Sequence, residues 1–169
     1  MSTLLAASNR EREEFEIVLV LLDIEVTPYK LPEWITVLQL DCRHSLLRSI
    51  FALASLFRKM RPDVSMSFLT RANIANVLAS IAFGNACIIS ERVNKSTQLP
   101  NNLRGRLAKL FVRLIYPRAN RIIAVSPGVA EDLRTSFSIP SERIVVVPNP
   151  IDLASIRAKS HEADPLNFP

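Results

Sequence analysis

A chain of 169 residues, 49% of them hydrophobic, is the size of one ordinary domain and has the material for a sizeable core; only the last ten or so residues look like a tail. No apolar run reaches the ~20 residues that a membrane-crossing helix needs, and the start lacks the basic and long apolar regions of a signal peptide. Lys and Arg outnumber Asp and Glu by 21 to 16, a balance that attracts nucleic acid, anionic lipid or phosphorylated substrates without choosing among them.

Short apolar runs alternate with longer stretches of helical period, the signature of an α/β domain with a mainly parallel sheet. Strands are expected at 17–22 and 35–40, joined by the proline-containing "DIEVTPYKLPEW". A helix at about 43–60 follows, with Leu46, Leu47, Ile50, Leu53, Ala54 and Phe57 on one face. A strand near 63–68 leads to a helix at 72–83, in which Ile74, Val77, Leu78 and Ile81 fall at i, i+3, i+4 and i+7. The strand "ACIIS" (86–90) ends at Glu91 and Arg92. The polar loop "VNKSTQLPNN" then precedes a helix at 103–116 striped by Leu103, Leu107, Leu110, Phe111, Leu114 and Ile115. A strand at 121–125, a helix at 128–136 and a last strand at 143–147 complete the ordered part, which closes on "PNPID". There is no internal repeat.

In open α/β sheets, ligands sit at the carboxyl ends of the strands. That rule nominates the loops 69–73, 90–95, 126–128 and 148–152. Ser126 suits a helix N-cap, with Pro127 at the first helical position. The same corner also fits an anion site on free backbone N–H groups, with Gly128 allowing close approach. Glu91 and Arg92 read either as a solvated rim or as a polyol acceptor beside an anion contact. Asn73 reads as a helix-start cap or as a crevice residue. The helix at 103–116 either packs its stripe on the sheet or lies on an anionic membrane through Arg106, Lys109 and Arg113. Two cysteines, Cys42 and Cys87, read as small core residues in a reducing cytoplasm rather than as a disulfide framework. With two histidines, His44 and His161, and three glycines, a metal site, a histidine triad or a glycine-rich phosphate loop has little to build on. The basic residues are not interleaved with aromatics and are spread over many elements, so nucleic acid is not expected as a partner.

"YPRANRIIAVSPGVAEDL" (116–133) followed by "IPSERIVVVPNPID" (139–152) closely resembles the amino-terminal domain of family 4 retaining glycosyltransferases. "YKLPEWITVLQLD" (29–41), "SFLTRANIANVLAS" (67–80) and "IISERVN" (88–94) are similar to the same family, in the right order across about residues 15–155. The similarity is greatest to bacterial members that build lipid-linked oligosaccharide, lipopolysaccharide or exopolysaccharide. The resemblance implies one Rossmann-like, three-layer half of a GT-B architecture. The acceptor is held by this half and the nucleotide-sugar by a second domain carrying a Glu-x7-Glu motif, with no metal generally required. It implies an acceptor site drawing on Asn73, Glu91, Arg92, Ser126 and Gly128, and a hinge at Asn149 and Asp152. Residues 1–152 correspond to the acceptor-side domain and 153–169 to the start of a linker or tail.

Two departures from the family pattern shape the expectations. No Glu-x7-Glu segment can be placed, so the donor domain is expected to be absent and the chain inactive alone. The family's opening strand and glycine loop are also unmatched, since no glycine occurs before residue 84. Loss of a central strand would leave the strands at 17–22 and 63–68 with unpaired edges or force them together, favouring self-association. The alternative to an acceptor domain is a non-catalytic interaction or binding module. In either case no cofactor beyond a nucleotide-sugar donor is implied. The partners are a glycan or lipid-linked acceptor and, peripherally, an anionic membrane facing the cytoplasm.

Overall fold

The computed structural model describes residues 14–24, 32–98, 102–151, 153, 156 and 157. By Cα proximity the chain divides into two compact units. The larger comprises Val20–Glu25 and Val37–Pro148 and carries nearly all of the regular structure; the smaller comprises Met1–Leu19, Val26–Thr36 and Asn149–Pro169. Asp152, one of the two expected hinge residues, lies outside the described residues. Asn149 is exposed within the smaller unit.

Strands β1 (Val18–Leu21) and β2 (Thr36–Gln39) form a two-stranded sheet. Its ladder continues past the strand ends, from Leu40 N–H to the Leu21 carbonyl (2.9 Å) and from Cys42 N–H to the Leu22 carbonyl (2.7 Å). Helix α1 (Leu46–Met60) begins at Ser45, whose hydroxyl accepts from Arg48 N–H, and closes on a left-handed Arg61 whose N–H returns to Phe57. Then come β3 (Val64–Phe68), α2 (Thr70–Phe83), β4 (Ala86–Glu91), a four-residue α3 (Lys95–Gln98) and α4 (Leu103–Ile115). The chain ends its regular part with β5 (Arg121–Ala124), α5 (Pro127–Phe137) and β6 (Ile144–Val146). Strands β3 to β6 pair in sequence order, every pair parallel, with Met66 opposite Ile88, Ile89 opposite Ile122 and Ile123 opposite Val145. Each connection in this sheet therefore crosses through a helix, as parallel neighbours require. The strands at 17–22 and 63–68 are not forced together: β1 and β3 belong to separate sheets.

The core has two parts. Ile89 and Ile122 of the central strands pack with Val77, Val112, Tyr116, Leu133 and Phe137. A second cluster joins Leu53 and Phe57 of α1 to Ala75 and Ala79 of α2, with Val20, Leu22 and Leu40 against it. Helix α2 is thus covered on two sides, and its small alanines let α1 come close. Both cysteines are buried thiols, and burial pushes the Cys87 thiol above its ordinary range.

Four elements differ from their sequence-based expectation. The segment "VNKSTQLPNN" contains α3, too short to show a helical period. Leu47 of α1 and Ile81 of α2, expected on packed faces, are exposed. In α4 the buried side is Val112 and Ile115, while Leu103, Leu107, Leu110, Phe111 and Leu114 are all exposed. Periodicity identifies an apolar stripe, but not what covers it.

Candidate functional site

The carboxyl ends of β1 to β5 carry a band of polar side chains, and the first turn of α2 stands in its middle. The turn is entered through Leu69, an exposed residue at φ 72° and ψ 148° that places no side-chain cap on the helix. Thr70, Arg71 and Asn73 then reach different neighbours.

Asn73 is completely buried. Its Oδ1 accepts from Ser67 Oγ (2.9 Å), and its Nδ2 donates to the Ser90 carbonyl (3.1 Å) and to Glu91 Oε1 (2.9 Å). It lies inside α2 and ties β3 to β4, so it is not the helix-start cap. Glu91, only 1% exposed, also accepts from the Tyr116 hydroxyl and pairs with Lys95 Nζ at 2.9 Å. Lys95 is 2% exposed and spends its remaining donors on Thr70 Oγ1 and Gln98 Oε1, both at 2.7 Å. Each buried side-chain polar atom of this network therefore has a partner. Burial, with Glu91 beside it, holds the Tyr116 hydroxyl well above the usual tyrosine range. The solvated-rim reading of Glu91 is thus replaced by a buried ion pair, and its partner is Lys95 rather than Arg92.

Arg92 turns the other way. It is half-buried, stacks over the Phe68 ring with Cζ 4.9 Å from the centroid, and its buried Nε has no hydrogen-bond partner. Val125 N–H donates to the Glu91 carbonyl (3.2 Å), which sets the corner after β5 beside this network. There Ser126 caps α5, its Oγ accepting from Val129 N–H at 3.3 Å, and Pro127 occupies the first turn. Gly128 is exposed, and a β-carbon there would meet nothing nearer than Ser126 Oγ at 3.9 Å. No described neighbour crowds that side of Gly128, which leaves its backbone open to an approaching group. Asp132 holds α3 from the outside by accepting from Ser96 N–H (3.0 Å) and Ser136 Oγ (2.9 Å). Burial pushes its carboxyl up, yet the Ser96 and Ser136 bonds outweigh it and leave the group below its ordinary range.

A second cluster stands at the ends of β1 and β2. Asp23, nearly buried, accepts from His44 N–H (2.9 Å) and lies 3.2 Å from His44 Nδ1. The Arg71 guanidinium bonds both Asp23 oxygens and also reaches Ser49 Oγ (3.4 Å). The Arg71 hydrogen bond, followed by the His44 backbone bond, holds the Asp23 carboxyl below the usual carboxylate range. The loops 69–73, 90–95, 126–128 and 148–152 leave this cluster out; the same crevice rule at the ends of β1 and β2 leads to Asp23 and to 41–45. Lys95 and Tyr116 are missed for another reason, since one hides in a polar loop and the other reads as the end of a helix. Among the described residues, no group of three or more His, Cys, Asp or Glu could hold a metal ion.

The family model for Glycosyltransferase Family 4 matches residues 3–155. The chain belongs to glycosyltransferase family 4. This family 4 domain is 34% identical, over 110 residues, to the N-acetylgalactosamine-N,N'-diacetylbacillosaminyl-diphospho-undecaprenol 4-alpha-N-acetylgalactosaminyltransferase of Campylobacter jejuni. That match covers 63% of this chain and 30% of the relative's length. Among solved structures, a sucrose-phosphate synthase from Thermosynechococcus elongatus superposes with a TM-score of 0.62 at 13% identity, over 94% of this chain and 87% of that one. A UDP-N-acetylglucosamine 2-epimerase from Rickettsia bellii gives a TM-score of 0.58 at 12% identity, over 94% of this chain and 39% of that one. At such identities the likeness shows the fold alone: a Rossmann-like α/β domain with parallel strands, of the kind from which GT-B enzymes are built.

Proposed function

We propose that the chain is the acceptor-binding portion of a retaining glycosyltransferase that moves a sugar from a nucleotide-sugar to a lipid-linked or polysaccharide acceptor in cell-envelope glycan synthesis. The observation that carries this is the polar band along the carboxyl edge, together with family membership and a relative whose own acceptor is a diphospho-undecaprenol glycan. In this reading Ser126, Gly128 and Arg92 line the acceptor site directly. Asn73 and Glu91, being buried, shape it from beneath by fixing the ends of β3 and β4. The buried Arg92 Nε without a partner supports a ligand-facing role for that side chain. The transfer assay that tests the reading supplies this chain with labelled nucleotide-sugars and undecaprenyl-diphosphate-linked glycans, alone and together with the donor-binding domain of a family 4 relative. Labelled lipid-linked product supports it. Its absence with every donor, while the folded chain still captures a protein partner, would favour a non-catalytic interaction module.

We further propose peripheral seating on an anionic membrane through α4. The helix turns Leu103, Leu107, Leu110, Phe111 and Leu114 outward, opposite buried Val112, and exposed Arg106 and Arg113 flank that stripe while Lys109 is half-buried. No helix of the described residues is long and apolar enough to cross a bilayer, so a surface-lying helix is the mode the geometry allows. Each basic residue near an anionic surface contributes about 1 kcal/mol. Arg106→Glu with Arg113→Glu is therefore expected to cut co-sedimentation with anionic vesicles by about tenfold or more. Unchanged sedimentation would remove this proposal.

A further inference from the structure

Around the first turn of α2 the charges are matched in pairs, Lys95 with Glu91 at 2.9 Å and Arg71 with Asp23. Arg92 stands outside this matching. Among the described residues no carboxylate lies within ion-pair distance of its guanidinium, and Glu91, its neighbour in sequence, belongs to Lys95. The chain has no acidic residue between Glu91 and Glu131, so the elements from the end of β4 to the first turn of α5 supply none.

The place of this cation is nevertheless fixed. The side chain is half-buried, with Cζ 4.9 Å from the ring centroid of Phe68, the last residue of β3. Leu69 follows at φ 72° and ψ 148°, a backbone region that residues with a side chain rarely adopt, so the chain turns sharply as it leaves the ring. The Arg92 Nε is buried and has no hydrogen-bond partner. A guanidinium keeps its proton in proteins, so the charge is permanent. The result is a cation partly withdrawn from water, with one N–H unanswered, an arrangement that is unfavourable until an acceptor is brought to it from outside. An ionised acceptor answers it best, because it meets the charge as well as the N–H.

We propose that the Arg92–Phe68 pair selects an acceptor that carries a phosphate ester, with the guanidinium donating to its oxygens. This rests on the acceptor-binding reading and decides between the two acceptor types named there. A glycan joined to lipid through phosphate brings the negative charge that Arg92 lacks, whereas a neutral polysaccharide does not. The planar guanidinium fork fits phosphate oxygens through paired N–H groups. Arg92 is the contacting residue, and Phe68 is a positioning residue that holds the guanidinium in place.

The test follows the arginine Nε–H resonances of this chain by proton–nitrogen NMR, and Arg92→Lys assigns the one that matters by removing it. Four probes are titrated separately: detergent-solubilised farnesyl diphosphate, inorganic pyrophosphate, methyl glucuronide as a carboxylate, and methyl N-acetyl-α-galactosaminide as a neutral glycoside. The expected result is that farnesyl diphosphate moves the Arg92 resonance and that neither glycoside does. Arg92→Ala weakens farnesyl diphosphate binding by about tenfold or more, and Arg92→Lys, which keeps the charge but not the fork, recovers part of it. Phe68→Leu weakens it by about threefold while the Arg92 resonance still responds. A response to inorganic pyrophosphate alone would assign the site to free diphosphate and overturn the acceptor assignment. A response to either glycoside alone, no response to any probe, or an Arg92→Ala chain with unchanged affinity and an intact melt would each overturn the proposal. In the transfer assay with a supplied donor-binding domain, an unaltered acceptor KM in Arg92→Ala would overturn this assignment and leave the acceptor-binding reading intact. Failure of wild type to transfer would strike that reading, and the titration would still decide Arg92.

Discussion

The two polar clusters on either side of the first turn of α2 solve opposite problems with similar residues. Around Glu91, a carboxylate, an ammonium, a phenol and an amide are buried together and bonded to one another and to Ser67, Thr70, Ser90 and Gln98. Around Asp23, a carboxylate is nearly buried but everything it holds leads outward, to an exposed His44 and a partly exposed Arg71. The first arrangement has no spare valence and fixes the strand ends. The second leaves its outer members open to solvent. Burial, rather than residue type, separates the group that shapes a site from the group that can touch a ligand.

The largest test of this contrast removes one half of the buried pair. Glu91→Ala leaves the Lys95 ammonium buried and uncompensated, and is expected to cost about 3–5 kcal/mol, enough to consume much of a small domain's stability. Urea unfolding followed by circular dichroism measures it, and a loss below about 1 kcal/mol would mean that Lys95 escapes to water and that the network is not sealed. Tyr116→Phe is expected to cost about 1–3 kcal/mol, since it removes a hydrogen bond inside the seal. It also carries a pH signature. The folded chain holds the Tyr116 proton above the ordinary range, so below about pH 10 both states keep it; as pH rises further only the unfolded chain releases it and stability falls. Melting temperatures of wild type should therefore drop on the alkaline side more steeply than those of Tyr116→Phe.

Asp23 answers at the other end of the scale. Its folded-state carboxyl is depressed, so its stabilising contribution is present above the unfolded value near pH ~3.9 and is lost as pH falls through the lower folded value. Asp23→Asn should flatten the acid limb and leave the alkaline limb unchanged. A variant that altered both limbs would show the clusters to be one cooperative unit. The smallest effects are expected at the corner outside both clusters. Ser126→Ala loses a cap, at about 1 kcal/mol. Gly128→Ala, open on its β-carbon side, should change stability by no more than ~1 kcal/mol, in the stabilising direction, while weakening acceptor binding if the backbone is approached there. Thermal melts and glycoside binding on the same two variants separate the outcomes.

The positions of the strands and helices in the larger unit were legible because parallel strands buried on both faces read as unbroken apolar runs, as at 86–90 and 121–125. The crevice rule reached Asn73 and Glu91, but could not tell that both are covered. Coverage depends on Tyr116 and Lys95, which arrive from elements distant in sequence or too short to announce themselves. The stripe of α4 shows the same limit in reverse: its spacing declares an apolar face, and only the packing of Val112 on the opposite side shows that the face looks outward.

Thr70, Arg71 and Asn73 make the first turn of α2 a key cut on two edges. Lys95 reads one edge, Asp23 another, and Glu91 the inner face. Inserting a single residue between Leu69 and Thr70 would rotate the turn by about 100° and withdraw all three side chains at once. Exchanging one residue of either cluster breaks that residue's own contacts, whereas a drift in the spacing from the end of β3 into α2 breaks the contacts of all three together. In related chains, length in this segment should therefore be held more tightly than composition.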